Sequence, residues 1–199
     1  MIVLLILTKY QYHKQYKSIH INKTLIEKTY ENYADLTKKM ADKYEIPQEY
    51  LLALIVLESS GRKVIPHRFE PRVFEKLKAV GNGKSTQFEG ITKEDLNNKS
   101  EAQLKQLASS WGPFQIMGYK SIQMNLTLND LIGKNGFETA VKWIISDYGS
   151  YLIEEDYKNA FHIHNTGKKY PLIGKPKTFH KDYVPRGLKY VEEFHKMCG

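Results

Sequence analysis

Seven consecutive apolar residues, Leu51-Leu52-Ala53-Leu54-Ile55-Val56-Leu57, run directly into the acidic Glu58 and then Ser59-Ser60-Gly61. A segment that is apolar on every side cannot lie on a surface, so its neighbours must enclose it, and a central buried helix is expected. Pro47 is well placed to be the first residue of that helix. Glu58 then leaves the core with its carboxyl against an apolar wall. Desolvation disfavours the charged form of such a group and raises its pKa, which is what a general acid needs near neutral pH. The plain alternative is that Glu58 opens a loop and points into water. The rest of the chain has to separate the two.

Upstream, over residues 22–43, Leu25, Ile26, Tyr30, Tyr33, Leu36 and Met40 recur at helical spacing with charges between them. Downstream, Gly61, Pro66, Pro71, Gly81, Gly83 and Gly90 punctuate residues 61–98, which read as irregular apart from a short helix over 71–78. Ser100 and Gln103 have the spacing of a capping box, and a turn at Gly112-Pro113 precedes Phe114-Gln115-Ile116-Met117. Helical patterns return over residues 127–132, 136–152, 155–163 and 183–197, with Tyr183, Leu188, Val191 and Phe194 as the apolar members of the last. Neither an internal repeat nor a low-complexity linker is visible. The expected fold is therefore mostly α, with an α+β character limited to a small sheet. One helical domain over residues 47–199 is built around the helix ending at Glu58, and residues 1–46 form an N-terminal segment and helix packed on it.

A length of 199 residues suffices for one domain with a substantial core, and 41% hydrophobic with 26% charged residues argues against disorder. The net charge of +8 calls for an anionic partner. Much of the excess is lysine, as in Lys168, Lys169, Lys175, Lys177 and Lys181, rather than an arginine-rich helix, so nucleic acid is not the expected partner. A merely solvated, soluble surface explains the same charge. Cys198, the sole cysteine, rules out an internal disulfide and a cysteine-based zinc site. His162 and His164 are spaced to share a metal, but no acidic or cysteine ligand stands at a recognisable offset, so no metal and no cofactor are expected. No Gly-x-Ser-x-Gly elbow or phosphate-binding glycine loop occurs. The opening run Met-Ile-Val-Leu-Leu-Ile-Leu is far shorter than a membrane span. It has no basic segment before it and no small-residue cleavage site after it, so it reads as a buried strand or first helical turn, not a signal peptide or a membrane insertion.

Three separated pieces stand out: Leu57-Glu58-Ser59-Ser60-Gly61, Ser109-Ser110-Trp111-Gly112-Pro113-Phe114-Gln115-Ile116-Met117-Gly118, and His164-Asn165-Thr166-Gly167. In order and type they resemble the goose-type lysozyme and lytic transglycosylase superfamily, and more closely the N-acetylmuramidase family of phage endolysins. That family carries an Ala-Ser-Trp-Gly-x-x-Gln-Ile-Met-Gly stretch, matched here by residues 108–118 with one additional serine. Its Phe-Glu segment is matched by Phe69-Glu70-Pro71. The resemblance spans most of residues 47–195 and implies a lysozyme-like domain. It also implies an enzyme that cleaves the β-1,4 bond between N-acetylmuramic acid and N-acetylglucosamine in peptidoglycan, working as a monomer on the glycan strands of an anionic bacterial cell wall. A phage lysis enzyme of this kind would accumulate in the host cytoplasm before reaching the wall.

The residue types suit that chemistry, which needs a proton on the leaving oxygen and stabilisation of an oxocarbenium-like centre. Glu58 would be the acid. Glu70 is the preferred second carboxylate by the resemblance, although an anion before Pro71 also suits the start of a helix; Glu75, Glu89 and Asp95 are lesser candidates. Gln115, with Ser110 beside it, would bond sugar amides or hydroxyls. Trp111 and Tyr119 would offer apolar faces to pyranose rings, whereas Phe114 reads as core. Asn165 would contact substrate or brace the cleft, or else simply form a turn before Thr166-Gly167. A carboxylate across the cleft from Glu58 makes a hydrolase; without one, a lytic transglycosylase giving 1,6-anhydro products is the alternative. A non-catalytic wall-binding virion component is the third.

Overall fold

The first helix, α1 (Leu25–Tyr44), is opened by Thr24: its hydroxyl accepts from the Glu27 backbone N–H at 3.2 Å, and the Glu27 carboxylate accepts from the Thr24 N–H at 2.8 Å. This reciprocal pairing satisfies two amides that the helix itself leaves free. The structure is a computed structural model and describes residues 24–198. The apolar run at the N-terminus, expected as a strand or helical turn, lies outside the described residues, as does the expected helix start at residue 22.

Helix α2 (Gln48–Ser59) is the element around which the others are arranged, and Tyr50 through Val56 are all buried in it. Pro47 sits one position earlier than expected, as the cap residue. Its ψ of 121° is extended, so the helix proper begins at Gln48. The helix ends at Ser60 and Gly61, both with left-handed backbone (φ 54° and 64°). Gly61 is held against α1, where a Cβ would fall 2.1 Å from the Thr29 Oγ1 and 2.9 Å from its Cα. Asn32 Nδ2 and Tyr33 Oη donate to the carbonyls of Gly61 and Arg62 (2.7 and 2.5 Å), tying the two helices together just past Glu58.

Between α2 and residue 118 the chain builds a small lobe that is less irregular than its glycines and prolines suggest. Strand β1 (Arg68–Phe69) leads into α3 (Pro71–Gly81), and β2 (Gln87–Phe88) pairs with β3 (Ile91–Thr92). Helix α4 (Glu101–Leu107), opened by the expected capping box at Ser100, leads to β4 (Ser109–Trp111) and β5 (Ile116–Met117). Strands β1, β4 and β5 form an antiparallel sheet in that order, with Arg68 opposite Ser110 and Ser110 opposite Met117. Phe74, Leu77, Val80, Ile91, Leu96 and Leu107 give this lobe a core of its own, which the amphipathic α3 supplies from one face.

The short α5 (Lys120–Gln123) and α6 (Leu128–Ile132) lead to α7 (Gly136–Ile153), which is interrupted at Tyr148 (φ −149°). Helix α8 (Tyr157–Thr166) starts later than the sequence pattern suggests. Glu155 is left-handed, and Asp156 caps the helix by accepting from the Asn159 N–H at 3.1 Å. Helix α9 (Tyr183–Cys198) lies along α2, and at Gly187 it approaches α8 so closely that a Cβ would meet the Phe161 ring at 2.7 Å. The fold is thus mostly helical with two small sheets, and α1 shares one core with α2, α7, α8 and α9. Among the described residues, no helix is long and apolar enough to cross a membrane.

Candidate active site

Glu58 occupies the last turn of α2, where the buried stretch gives out. Its side chain is only 15% exposed and lines a cleft of about 550 Å³ between the helical core and the small lobe. The cleft is completed by Arg68, Phe69, Glu70 and Val73 from the lobe, by Ser110, Gln115 and Met117 from the β4–β5 hairpin, and by His164, Asn165 and Phe179 from the far wall. Burial is the main cause that pushes the Glu58 carboxyl up to about 7; the Tyr183 hydroxyl and the Arg68 charge pull the other way. Tyr183 O–H donates to Glu58 Oε1. Burial raises the Tyr183 phenol itself far above its ordinary range, so it stays a donor.

His164 stands on the other side of Oε1, its Nε2 at 3.9 Å. Its ring is buried, with Nε2 at 3.0 Å from the Phe114 carbonyl and Nδ1 at 2.8 Å from the Tyr148 hydroxyl. A carbonyl only accepts, so Nε2 carries the proton and Nδ1 accepts from Tyr148. Burial lowers the His164 pKa to about 4. A neutral imidazole with both nitrogens engaged therefore sits beside Glu58, so His164 sets no positive charge next to the carboxyl.

Glu70 is on the same cleft and is half-buried. It is the N-cap residue of α3, as an anion before Pro71 suits, but its carboxylate makes no hydrogen bond to the helix amides and pairs instead with Arg68 Nε at 2.7 Å. Glu58 and Glu70 are the two carboxylates lining this cleft. Gln115 is held in a left-handed backbone (φ 50°) at the hairpin turn. Ser110 Oγ donates to its Oε1 (2.8 Å), and its own Nε2 donates to the Gly112 carbonyl (3.0 Å), so the amide is locked with one N–H left over. Asn165 is not a turn residue. It lies in the last turn of α8, where the chain turns instead at left-handed Gly167, and its Oδ1 accepts from the Phe179 N–H at 3.1 Å, bracing the cleft wall.

Two expected sugar contacts, Trp111 and Tyr119, do not line the Glu58 cleft itself. Successive side chains of a strand point to opposite faces, so with Ser110 in the cleft Trp111 faces away. Its ring stacks on His67 at 4.6 Å, its Nε1 donates to the Gln106 carbonyl, and it borders a separate groove with Tyr33 and Phe137. Tyr119 is largely buried against Phe88 and lines a neighbouring cavity of about 230 Å³. That cavity shares Gln115, Met117, His164 and Asn165 with the Glu58 cleft and adds Glu89, Lys120, Trp143 and Asp147, so it continues the groove away from Glu58. Burial raises the Asp147 carboxyl there against the opposing charge of Lys120, with a smaller upward push from Glu89. Of the lesser carboxylates, Asp95 caps the turn at Thr92 and Glu75 is exposed on α3. Phe114 is core, packed on Phe137.

His162 does not join His164 at a metal site. Its Nδ1 donates to the Lys168 carbonyl at 2.6 Å, and among the described residues no group of three or more His, Cys, Asp or Glu is arranged to hold a metal ion. Tyr183, His164 as a neutral neighbour, Arg68 and Phe179 belong to the site without having been singled out for it by sequence. Tyr183 reads there only as one apolar position of an amphipathic helix. No protein-family model, curated protein or solved structure matches this chain.

Proposed function

We propose that this chain is a peptidoglycan hydrolase, a muramidase that cleaves the β-1,4 bond between N-acetylmuramic acid and N-acetylglucosamine. The observation that carries the reading is the Glu58 carboxyl, mostly buried at the side of an open cleft and raised to about 7, hence substantially protonated at neutral pH. Because Tyr183 donates to Oε1, the transferable proton belongs on Oε2. From there it passes to the glycosidic oxygen as the bond to the anomeric carbon breaks. Glu70, paired with Arg68 Nε at 2.7 Å, takes the proton of a water that adds to that carbon. A water between two carboxylates gives inversion at separations of roughly 6.5–9.5 Å. Gln115 and Asn165 supply amide groups to the sugar. The positive surface holds the enzyme to an anionic wall, and as a lysis enzyme it would gather in the host cytoplasm until released.

The test is digestion of purified peptidoglycan, with the fragments read by mass spectrometry. Reducing-end products are expected from the parent, and the Glu58→Gln protein, which keeps size and polarity but loses the acid, should be slower by at least about a hundredfold. An unchanged rate in that variant sinks the assignment. Products ending in 1,6-anhydro sugars would make it a transglycosylase, in which the C6 hydroxyl replaces water and Glu70 is spectator. Binding without cleavage would leave a wall-binding protein.

A further inference from the structure

We propose that the loop joining α8 to α9, residues 167–182, is a membrane-surface contact that seats the protein on an anionic lipid bilayer. Its tip, Leu172-Ile173, is as exposed as side chains can be, at 102% and 93%, with no shelter among the described residues. Isolated exposed apolar residues are ordinary; two adjacent ones presented at the end of an anchored loop are not. The anchoring is specific. At one foot Tyr170 N–H donates to Asn159 Oδ1 (2.8 Å), the Lys168 carbonyl accepts from His162, and Lys158 Nζ lies 4.1 Å over the Tyr170 ring. At the other foot Phe179 N–H is held by Asn165, and the buried Thr178 donates to the His180 carbonyl. Pro171 and Pro176 bracket the tip and fix φ on either side of it.

Charge identifies the surface it meets. From residue 157 to 181 the chain has no Asp or Glu, Lys168, Lys169, Lys175, Lys177 and Lys181 flank the tip in sequence, and Asp182, the one acid of the loop, faces Arg186 at 3.9 Å. Lys169 is partly engaged, over the Tyr151 ring with Glu154 and Asp156 nearby. Among the described residues, the other four form no ion pair. A soluble polyanion of the wall would satisfy these lysines but would leave Leu172 and Ile173 in water. A bilayer with anionic headgroups satisfies both, the lysines at the headgroups and the two side chains among the upper acyl carbons. The arrangement is peripheral, and it sets Phe179, on the rim of the Glu58 cleft, close to the lipid surface. It does not depend on which bond, if any, the cleft breaks.

Co-sedimentation of the full chain with vesicles tests it. Binding is expected to equimolar phosphatidylcholine and phosphatidylglycerol and not to phosphatidylcholine alone. The Leu172→Ser/Ile173→Ser protein should partition about tenfold less or weaker still, and Lys175→Ser/Lys177→Ser about twentyfold less. Both pairs are exposed, so the melting temperature should not move. The proposal is overturned if the parent ignores anionic vesicles, or if the serine variant at the tip binds them as the parent does, which would mean charge attraction alone. It is equally overturned if the chain binds purified wall but no vesicle.

Discussion

The Tyr183 hydroxyl donates to Oε1 of Glu58 across 125 residues of sequence. The contact joins the start of α9 to the end of α2, and it works against burial. Desolvation raises the carboxyl, while a donor to its charged form lowers it. Replacing Tyr183 by Phe keeps the ring that packs against Phe161 and removes only the donor. The Glu58 pKa should then rise above about 7, and the basic limb of the pH–rate profile should move to higher pH, because the acid stays protonated longer. A profile whose basic limb moves down or stays in place would show that Tyr183 does not tune this group.

Glu58 and His164 make opposite demands on the fold as pH changes. Glu58 rises from 4.5 to about 7 in the folded protein, so between these values the native state holds a proton that the unfolded chain has lost, and stability falls as pH rises. His164 drops from 6.5 to about 4, so between those values the unfolded chain holds the extra proton, and stability falls as pH drops. Each shift corresponds to about 3 kcal/mol, and over the shared range, pH 4.5 to 6.5, the two slopes cancel. Chemical denaturation of the parent should therefore vary little across that range. Glu58→Gln leaves only the histidine, and its stability should fall on acidification. His164→Gln leaves only the carboxyl, and its stability should fall as pH rises toward 7. The first variant should also be the more stable one at pH 8, by up to about 3 kcal/mol. Identical pH slopes in all three proteins would refute the scheme.

The helical frame and the position of Glu58 were readable because both depend on local pattern: an unbroken apolar run has to be enclosed, and its first polar residue marks where enclosure ends. The partners of Glu58 were not readable. Tyr183 counts as apolar in the periodicity of α9, and only the packing of α9 on α2 reveals what its hydroxyl is for. Strand β4 has three residues, too few for alternation to show in sequence, so nothing local separates Ser110, facing the cleft, from Trp111, facing away. The small lobe was obscured by its glycines and prolines, which mark turns without saying that the strands between them pair.

Ser110 acts on the cleft through Gln115. Its hydroxyl holds Oε1 at 2.8 Å, while the Gly112 carbonyl holds Nε2, so the free amide N–H has one direction. Ser110→Ala should cost about 1 kcal/mol of stability. It should also lower kcat/KM for peptidoglycan by about tenfold, mostly through KM, as the amide loses its orientation. The loss should be much smaller when Gln115 is already Ala, since the two act as a unit. Additive losses in the double-mutant cycle would mean that Ser110 acts on substrate by itself.

Gly61 and Gly112 separate backbone strain from crowding. Both have left-handed φ, 64° and 71°. Around Gly112 a Cβ meets nothing within 4 Å, so Gly112→Ala should carry only the conformational cost, about 1 kcal/mol. That is a fall of about 2–4 °C in melting temperature for a chain of this size. At Gly61 the same Cβ would strike Thr29, including its backbone Cα at 2.9 Å, which α1 cannot withdraw without leaving α2. Gly61→Ala should cost about 3 kcal/mol or more, and thermal melting should show a fall of about 6–12 °C. Because Gly61 lies three residues past Glu58, the displaced turn should carry the carboxyl with it and lower activity at temperatures where the variant remains folded. Equal losses at the two glycines would show that α1 yields at this crossing and that Glu58 is not positioned by it.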